Sequence, residues 1–587
     1  MRVLLVHPED SPTAGEWSGS RWDLVVDMGW AGTAQYAEWG KKLGCPIRGL
    51  YSYAEWHNDV HRIQGIFRAG SDCLVDAEGV DWWELLAPVG FLRVHEFLLL
   101  TKIAGAIQAP HEIRVTRPYR LADALGKFLR VNVVPYIREA RPVFAWVGRY
   151  TKTLRALTSA QAAGIALDKW DTDYRLRRLV RRPKRNSNLE PRVLLPSSYR
   201  NVSRVLAAYA SVLPDRSFLL VTTRADGAIH GLPRNVDTVP LAAYVPFPRN
   251  KSTEREIAAL TAHWRGLQRR LQESKDPVVA LAVGVFPDFA RTLRVGMRIR
   301  DAWREVLDQE RISSVLCADE NNPYTRLPVL LAKNRGVRTV HCSHGALDVN
   351  LLLRGICSDT YLAKGEMEKD YMTQECGVPE ERIMPGAPPV AHFLSRGESR
   401  PTGDQIVFFS EPYELSAGRT ETLYGEVLPG LCAIARQYGR KVVLKLHPYE
   451  SANARSGLLD RILTGEDRQL VEVSTAPISE QLLRRVWFGL TLESSVAVEC
   501  ALAGIDFFLC GWFDLGMHCY GRQYEKFGAA RVLNAPSEIL RIPEMLDRRS
   551  MDADSRNLAY PPITQIELDG ILQATPDARV KSRQPKE

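Results

Sequence analysis

Short apolar runs alternate with helix-like stretches along most of the chain. Between residues 192 and 390 the runs RVLLPSS (192–198), SFLLVTTR (217–224), SSVLCADENN (313–322), TVHCSHG (339–345) and SDTYLAKG (358–365) read as strands with their polar exits. ERIMPGAPP (381–389) reads as a further strand and exit loop, with PGAPP as an interdomain hinge. Between them lie a helix over 201–214 with an Asn or Ser cap, a charged helical stretch over 253–274, and LPVLLAKNRG (327–336), for which Gly336 supplies a C-cap. The apolar run over 277–286 precedes a long helix. GEMEKDYMTQECG reads as one helix.

The stretch from 404 to 545 repeats the pattern. DQIVFFSEPY (404–413), KVVLKLHP (441–448), LVEVSTA (470–476), WFGLTLESS (487–495) and DFFLCG (506–511) read as strands, and SVAVECALAG (495–504) as one of the helices between them. Strands that are continuously apolar and alternate with helices belong to parallel sheets covered on both faces. The fold class is therefore α/β, with two Rossmann-like doubly wound domains facing a cleft and an extra N-terminal α/β region. In that region RVLLVH (2–7) and RWDLVVDMG (21–29) read as strands, while FLRVHEFLLLTKIAGAIQ (91–108) and ADALGKFLRVNVVPYI read as helical. The divisions are 1–180, 192–390, 400–545 and a C-terminal extension over 546–587. The basic, Pro- and Asn-containing stretch 181–191 is the linker.

A length of 587 residues exceeds what one core holds, so several domains are required. The formal charge of +8 suits an anionic small ligand and makes no demand for nucleic acid. The run RLRRLVRRPKRN (175–186) is a solvated helix end and linker or, in the sharper reading, a peripheral contact at the inner face of a membrane. Ten scattered cysteines without CxxC or zinc spacing read as buried thiols of a reducing, cytoplasmic compartment. The opening MRVLLVHPED is strand-like, too short in its apolar run for a signal peptide, and no run is long enough to span a bilayer.

The candidate chemistry lies at strand ends, where open α/β sheets bind ligands. In the last sheet these ends carry Ser410 and Glu411, Lys445 with His447 and Pro448, and Glu493, Ser494 and Ser495. Lys445 and His447 lie two apart and offer positive charge to a phosphate, with Pro448 fixing the exit; the alternative is a structural strand end. Ser494 and Ser495 either add hydroxyls to helix amides that meet a phosphate or merely cap the helix. Glu499 either accepts from ribose hydroxyls or is a paired carboxylate. In the facing sheet Asp319, Glu320 and His344 are candidates to activate an acceptor hydroxyl; the alternatives are a polar loop capping the next helix and a structural histidine. Asp348 lies at the same exit.

With KLHP (445–448), ESSVAVECALAG (493–504), SHG (343–345) and the LLAKNRGV helix in view, the chain over about 192–545 resembles the GT-B glycosyltransferase superfamily. It looks most like bacterial capsule and surface-polysaccharide transferases with a His-Pro motif, the sialyl-, polysialyl- and Kdo-transferase-like groups. The resemblance implies that His447, Ser494 and Ser495 bind the donor phosphate and Glu499 the ribose, without metal and without a tightly bound cofactor. It implies a CMP-, CDP-, UDP- or GDP-linked sugar donor and a glycan or lipid-linked acceptor. An acidic-acidic-glycine motif usual in such transferases is missing, since RADG (224–227) has one acid. A nucleotide-sugar epimerase or hydrolase, or a non-catalytic binding protein of envelope assembly, are the rival readings.

Overall fold

The computed structural model describes residues 1–8, 10–29, 33–69, 73–107, 110–136, 190–224, 227–246, 251–276, 278, 289–320, 322–345, 356–389, 403–411, 420–447, 450–476, 478–513, 520–546 and 558–575. The basic run 175–186, nearly all of the linker, most of the apolar run 277–286, Asp348, Pro448 and the last residues of the chain lie outside them.

Three parallel sheets follow one another. The first contains β1 (Arg2–Val6), β2 (Leu24–Asp27), β3 (Ile47–Gly49), β4 (Glu112–Val115) and β5 (Val133–Pro135), in the order β3-β2-β1-β4-β5. The second contains β6 (Arg192–Ser197), β7 (Ser217–Thr222), β8 (Val236–Pro240), β9 (Ile312–Cys317), β10 (Arg338–Cys342), β11 (Thr360–Ala363) and β12 (Ile383–Pro385), in the order β12-β11-β10-β9-β6-β7-β8. The third contains β13 (Gln405–Phe409), β14 (Lys441–Lys445), β15 (Val471–Ser474), β16 (Val486–Thr491), β17 (Asp506–Cys510) and β18 (Arg531–Leu533), in the order β15-β14-β13-β16-β17-β18. In each, the chain winds outward from a central strand, returns to that strand's other side and winds outward again. The reversal falls between β1 and β4, β6 and β9, and β13 and β16. The fold is α/β, with two doubly wound Rossmann-like domains facing a cleft after a third unit of the same construction.

Several local expectations are corrected. The helical reading of ADALGKFLRVNVVPYI fails in its second half. The helix Arg120–Leu129 stops at Arg130, whose φ of 56° is left-handed, and the β-branched run that follows forms β5. The helix read over 201–214 begins at Arg200 behind Tyr199, which offers no side-chain cap. GEMEKDYMTQECG divides into an α-helix, Glu366–Asp370, and a π-helical turn, Tyr371–Glu375. Gly336 does end its helix, at φ 70°, with Val337 N–H returning to Ala332 O at 2.9 Å.

The first two sheets share one apolar core. Trp82, on the helix Trp82–Ala106, packs so closely on Gly296 of the helix Phe289–Gln309 that a Cβ there would stand 2.3 Å from the indole. Beside them Arg300, 1% exposed, lies 2.8 Å from Asp76, 3.0 Å from Glu256 and 2.8 Å from Asp301. Asp76 also accepts from Trp82 Nε1 at 2.9 Å. A buried cation so fully paired fixes the first unit on the second.

The C-terminal extension returns to the second sheet. Ile563 N–H donates to Ala387 O at 3.0 Å, and the helix Gln565–Gln573 buries Leu568, Ile571 and Leu572 in one cluster with Val193, Leu195, Leu316 and Val340. Thr564 and Glu567 cap that helix reciprocally. Among the described residues no helix is long and apolar enough to cross a membrane.

Candidate active site between the second and third sheets

A cavity of about 260 Å³ opens where the carboxyl ends of the second and third sheets meet. One wall comes from the second sheet: Ser343, His344 and Gly345 after β10, Lys364 after β11, Met367 and Glu368 on the next helix, Ala387 and Pro388 after β12, and Arg204 and Val205. The other comes from the helix Val496–Leu502 and its entry, with Ser495, Val498, Glu499 and Leu502, and from Tyr524. Leu558 and Ala559 of the returning segment complete it. Of the residues singled out in the sequence, His344, Ser495 and Glu499 line this cavity; Lys445, His447, Ser410, Glu411, Glu493, Ser494, Asp319 and Glu320 are not part of its wall.

On the third-sheet side, Lys445 is the last residue of β14 and is 7% exposed. Its ammonium donates to Leu446 O at 2.7 Å, and among the described residues it makes no ion pair with a carboxylate. Burial depresses its pKa, with Glu450 opposing. His447 lies beyond the strand, so the two do not share a strand face as their spacing implied. His447 N–H is held by Glu450 Oε2 at 2.8 Å. Burial and then the neighbouring Lys445 lower the imidazole pKa.

Glu450, which the sequence reading passed over, is the hub of this corner. It accepts from Arg455 Nη2 at 2.7 Å and from Ser410 Oγ at 2.8 Å, and Ser410 is also 2.5 Å from Tyr424 Oη. Glu411 Oε1 accepts from Thr491 Oγ1 and from the backbone N–H of Glu493. Ser410 and Glu411 thus shape the strand ends from within.

Ser494 Oγ accepts weakly from Val496 N–H at 3.4 Å, and Ser495 makes no side-chain cap. Glu499, one turn along, has its pKa raised by burial, with Lys364 opposing from across the cavity. A carboxylate and an ammonium from opposite domains therefore face the same space.

On the second-sheet side, His344 Nδ1 lies 2.6 Å from Ala318 O and Nε2 2.5 Å from Tyr199 Oη. Asp319 is 3% exposed and accepts from Ser198 Oγ at 3.3 Å. Glu320 is buried in a different network, with His341 Nδ1 at 3.3 Å, Cys357 Sγ at 2.9 Å and Ser358 Oγ. Its pKa is lowered: His341 and Arg326 outweigh the burial that acts against its charge. Asn322 caps the following helix, its side chain accepting from Tyr324 N–H at 3.0 Å, so part of the DENN stretch is a capping loop.

Arg204, Lys364, Glu368 and Tyr524 reach the cavity without having been singled out. Lys364 carried a readable signal, a lysine closing an apolar strand as Lys445 does. Its ammonium donates to Gly345 O at 2.8 Å and stands 3.6 Å from Glu368, tying the segment after His344 to β11. Arg204, on the second turn of a helix, had none. Among the described residues no group of three or more His, Cys, Asp or Glu is arranged to hold a metal ion.

No family model and no curated protein matches the sequence. Solved structures are similar to it. The UDP-GlcNAc 2-epimerase of Methanocaldococcus jannaschii in complex with UDP-GlcNAc and UDP aligns at 12% identity and a TM-score of 0.40, over 62% of this chain and 97% of its own. The calicheamicin glycosyltransferase CalG4 aligns at 13% identity and a TM-score of 0.37, over 66% and 95%. The wall teichoic acid polymerase TagF aligns at 12% identity and a TM-score of 0.35, over 73% and 94%.

Proposed function

We propose that the chain is a nucleotide-sugar-dependent glycosyltransferase that moves a sugar to a glycan or lipid-linked acceptor in surface-polysaccharide synthesis. The observation that carries this reading is Lys445. An ammonium buried at a strand end is costly unless it meets an anion; its hydrogen bond goes to a carbonyl, and Glu450 nearby offsets only part of its burial. A donor phosphate is an anion of the right kind at a place where parallel sheets take ligands. To His447, beyond β14, and to Ser494 and Ser495, beyond β16, this reading assigns the stabilisation of charge on the departing nucleotide. Glu499 takes the ribose. His344, across the cavity, is the base for the acceptor hydroxyl, with Asp319 behind it; Glu320 is left to the buried network.

The test is the thermal response of the full chain and of Lys445→Met to CMP, CDP, UDP and GDP, followed by product analysis with the matching sugar nucleotides. A ligand that binds the folded state raises its melting temperature. One nucleotide should stabilise the wild type and not the variant, and its sugar should appear on an added acceptor. Conversion of the donor to an isomer in the absence of acceptor would replace this reading with an epimerase. Absence of any nucleotide response would remove it.

A further inference from the structure

Arg204 stands apart among the charged groups of the cavity wall. Lys364 lies 3.6 Å from Glu368 and donates to Gly345 O at 2.8 Å. Glu368 also accepts the backbone N–H of Lys364 at 2.6 Å. Glu499 meets Lys364 from the other domain, and burial works against its charge. These three groups answer one another. Arg204 lies in the same wall, and among the described residues its guanidinium has no hydrogen bond and no ion pair.

Its place follows from the helix Arg200–Val212, which leaves β6, the strand at which the second sheet reverses its winding. That helix buries Val202, Ser203 and Leu206, so Arg204 falls on its exposed side, beside Val205 at the cavity. The rest of the wall is largely apolar, with Met367, Val498, Leu502 and Leu558. Opposite charges attract more strongly beside such surface than in open water. Lys445 and His447, to which the donor phosphate is assigned, are not in this wall. Arg204 instead belongs to the domain of His344, the residue assigned to the acceptor.

Resting on the reading of the cavity as a transfer site with His344 as base, we propose that Arg204 selects the acceptor, which carries an oxyanion, a phosphate or a carboxylate, close to the hydroxyl that is glycosylated. The planar fork of a guanidinium matches two oxygens of either group. The pairing holds the acceptor in the wall from which His344 acts. A neutral acceptor gains nothing from this side chain.

The test uses the full chain with UDP-, CMP-, GDP- and CDP-sugars and a panel of nitrophenyl glycosides, each offered neutral, as its phosphate ester and as its uronic acid. The wild type should prefer a charged member, and whether phosphate or uronic acid wins names the oxyanion. Arg204→Gln should raise KM for that acceptor about 10–100-fold at unchanged donor KM. Arg204→Lys, which keeps the charge and loses the fork, should recover part of the preference. The melting temperature of Arg204→Gln should match the wild type, since no contact is lost. Equal use of neutral and charged acceptors by the wild type, a preference that survives Arg204→Gln, or a rise in donor KM instead overturns the assignment and leaves the transferase reading intact. A wild type that transfers from none of these donors ends both.

Discussion

Glu411 Oε1 receives the backbone N–H of Glu493 at 2.8 Å, so the end of β13 sets the turn that leaves β16. The two strands are neighbours at the point where the third sheet reverses its winding. The same oxygen takes Thr491 Oγ1 at 2.9 Å. Replacing Glu411 by Ala takes this acceptor from the Glu493 N–H, while Thr491 Oγ1 keeps Phe409 O at 2.7 Å, and should cost about 1–3 kcal/mol of stability. Because the turn leads to Ser494 and Ser495, nucleotide affinity should fall with it. Urea denaturation and nucleotide titration of Glu411→Ala check both; undiminished affinity would detach this carboxylate from the site.

Lys445→Met should be as stable as the wild type or more so without ligand, and blind to nucleotides. Removing a buried charge whose desolvation outweighs its attraction to Glu450 relieves that cost. The pH dependence has a definite sign. A lysine whose folded pKa is depressed weakens the fold fully below that folded pKa. The penalty shrinks as pH rises through it toward the ordinary lysine value of 10.5. The advantage of Lys445→Met should therefore narrow with alkalinity, as read from melting temperatures between neutral pH and pH about 10. A variant several degrees less stable at neutral pH would show that Lys445 is already paired.

Glu320→Gln should destabilise rather than disarm. The carboxylate is buried against His341, Ser358 and Cys357, and breaking such a network costs about 3 kcal/mol. Its folded pKa lies below the ordinary 4.5, so the stability it supplies is present above pH 4.5 and is lost as pH falls below it. The variant should lack that acid-dependent loss and keep nucleotide binding. Loss of transfer at full stability would return Glu320 to the chemistry.

Arg300→Met removes the cation paired with Asp76 and Asp301 inside the core and should cost about 3–5 kcal/mol. Since the first two sheets share a core, they should melt together in one lowered transition. A separate early transition for residues 1–136, seen by calorimetry or limited proteolysis, would show that the first unit folds by itself.

The third sheet was the most legible part, because β13, β14, β16 and β17 are continuous apolar runs with abrupt polar ends. The first sheet was not: β3 and β5 are three residues each, shorter than any periodicity can register, and β5 follows a helix whose left-handed stop, Arg130, is not a glycine. β8 and β18 were passed over as well; β18 is again only three residues long. In the site, the sequence offered strand ends but not what they face. Lys445 and Lys364 close similar strands, yet one is buried beside Glu450 and the other looks across a cavity at Glu499. Tyr199 carried no signal, because its hydrogen bond is to a histidine 145 residues away.

The return of the helix Gln565–Gln573 to the second sheet sets an order of events at the ribosome. The third sheet is synthesised as an insertion within the second domain, between Pro385 and Leu558. Until Leu568, Ile571 and Leu572 emerge, Val193, Leu195, Leu316 and Val340 have no cover from that helix. The second domain therefore waits, half-clad, through the making of the whole third sheet. Nascent chains halted before residue 558 should recruit chaperones at the apolar positions that the helix Gln565–Gln573 covers, and release of that helix should dismiss them.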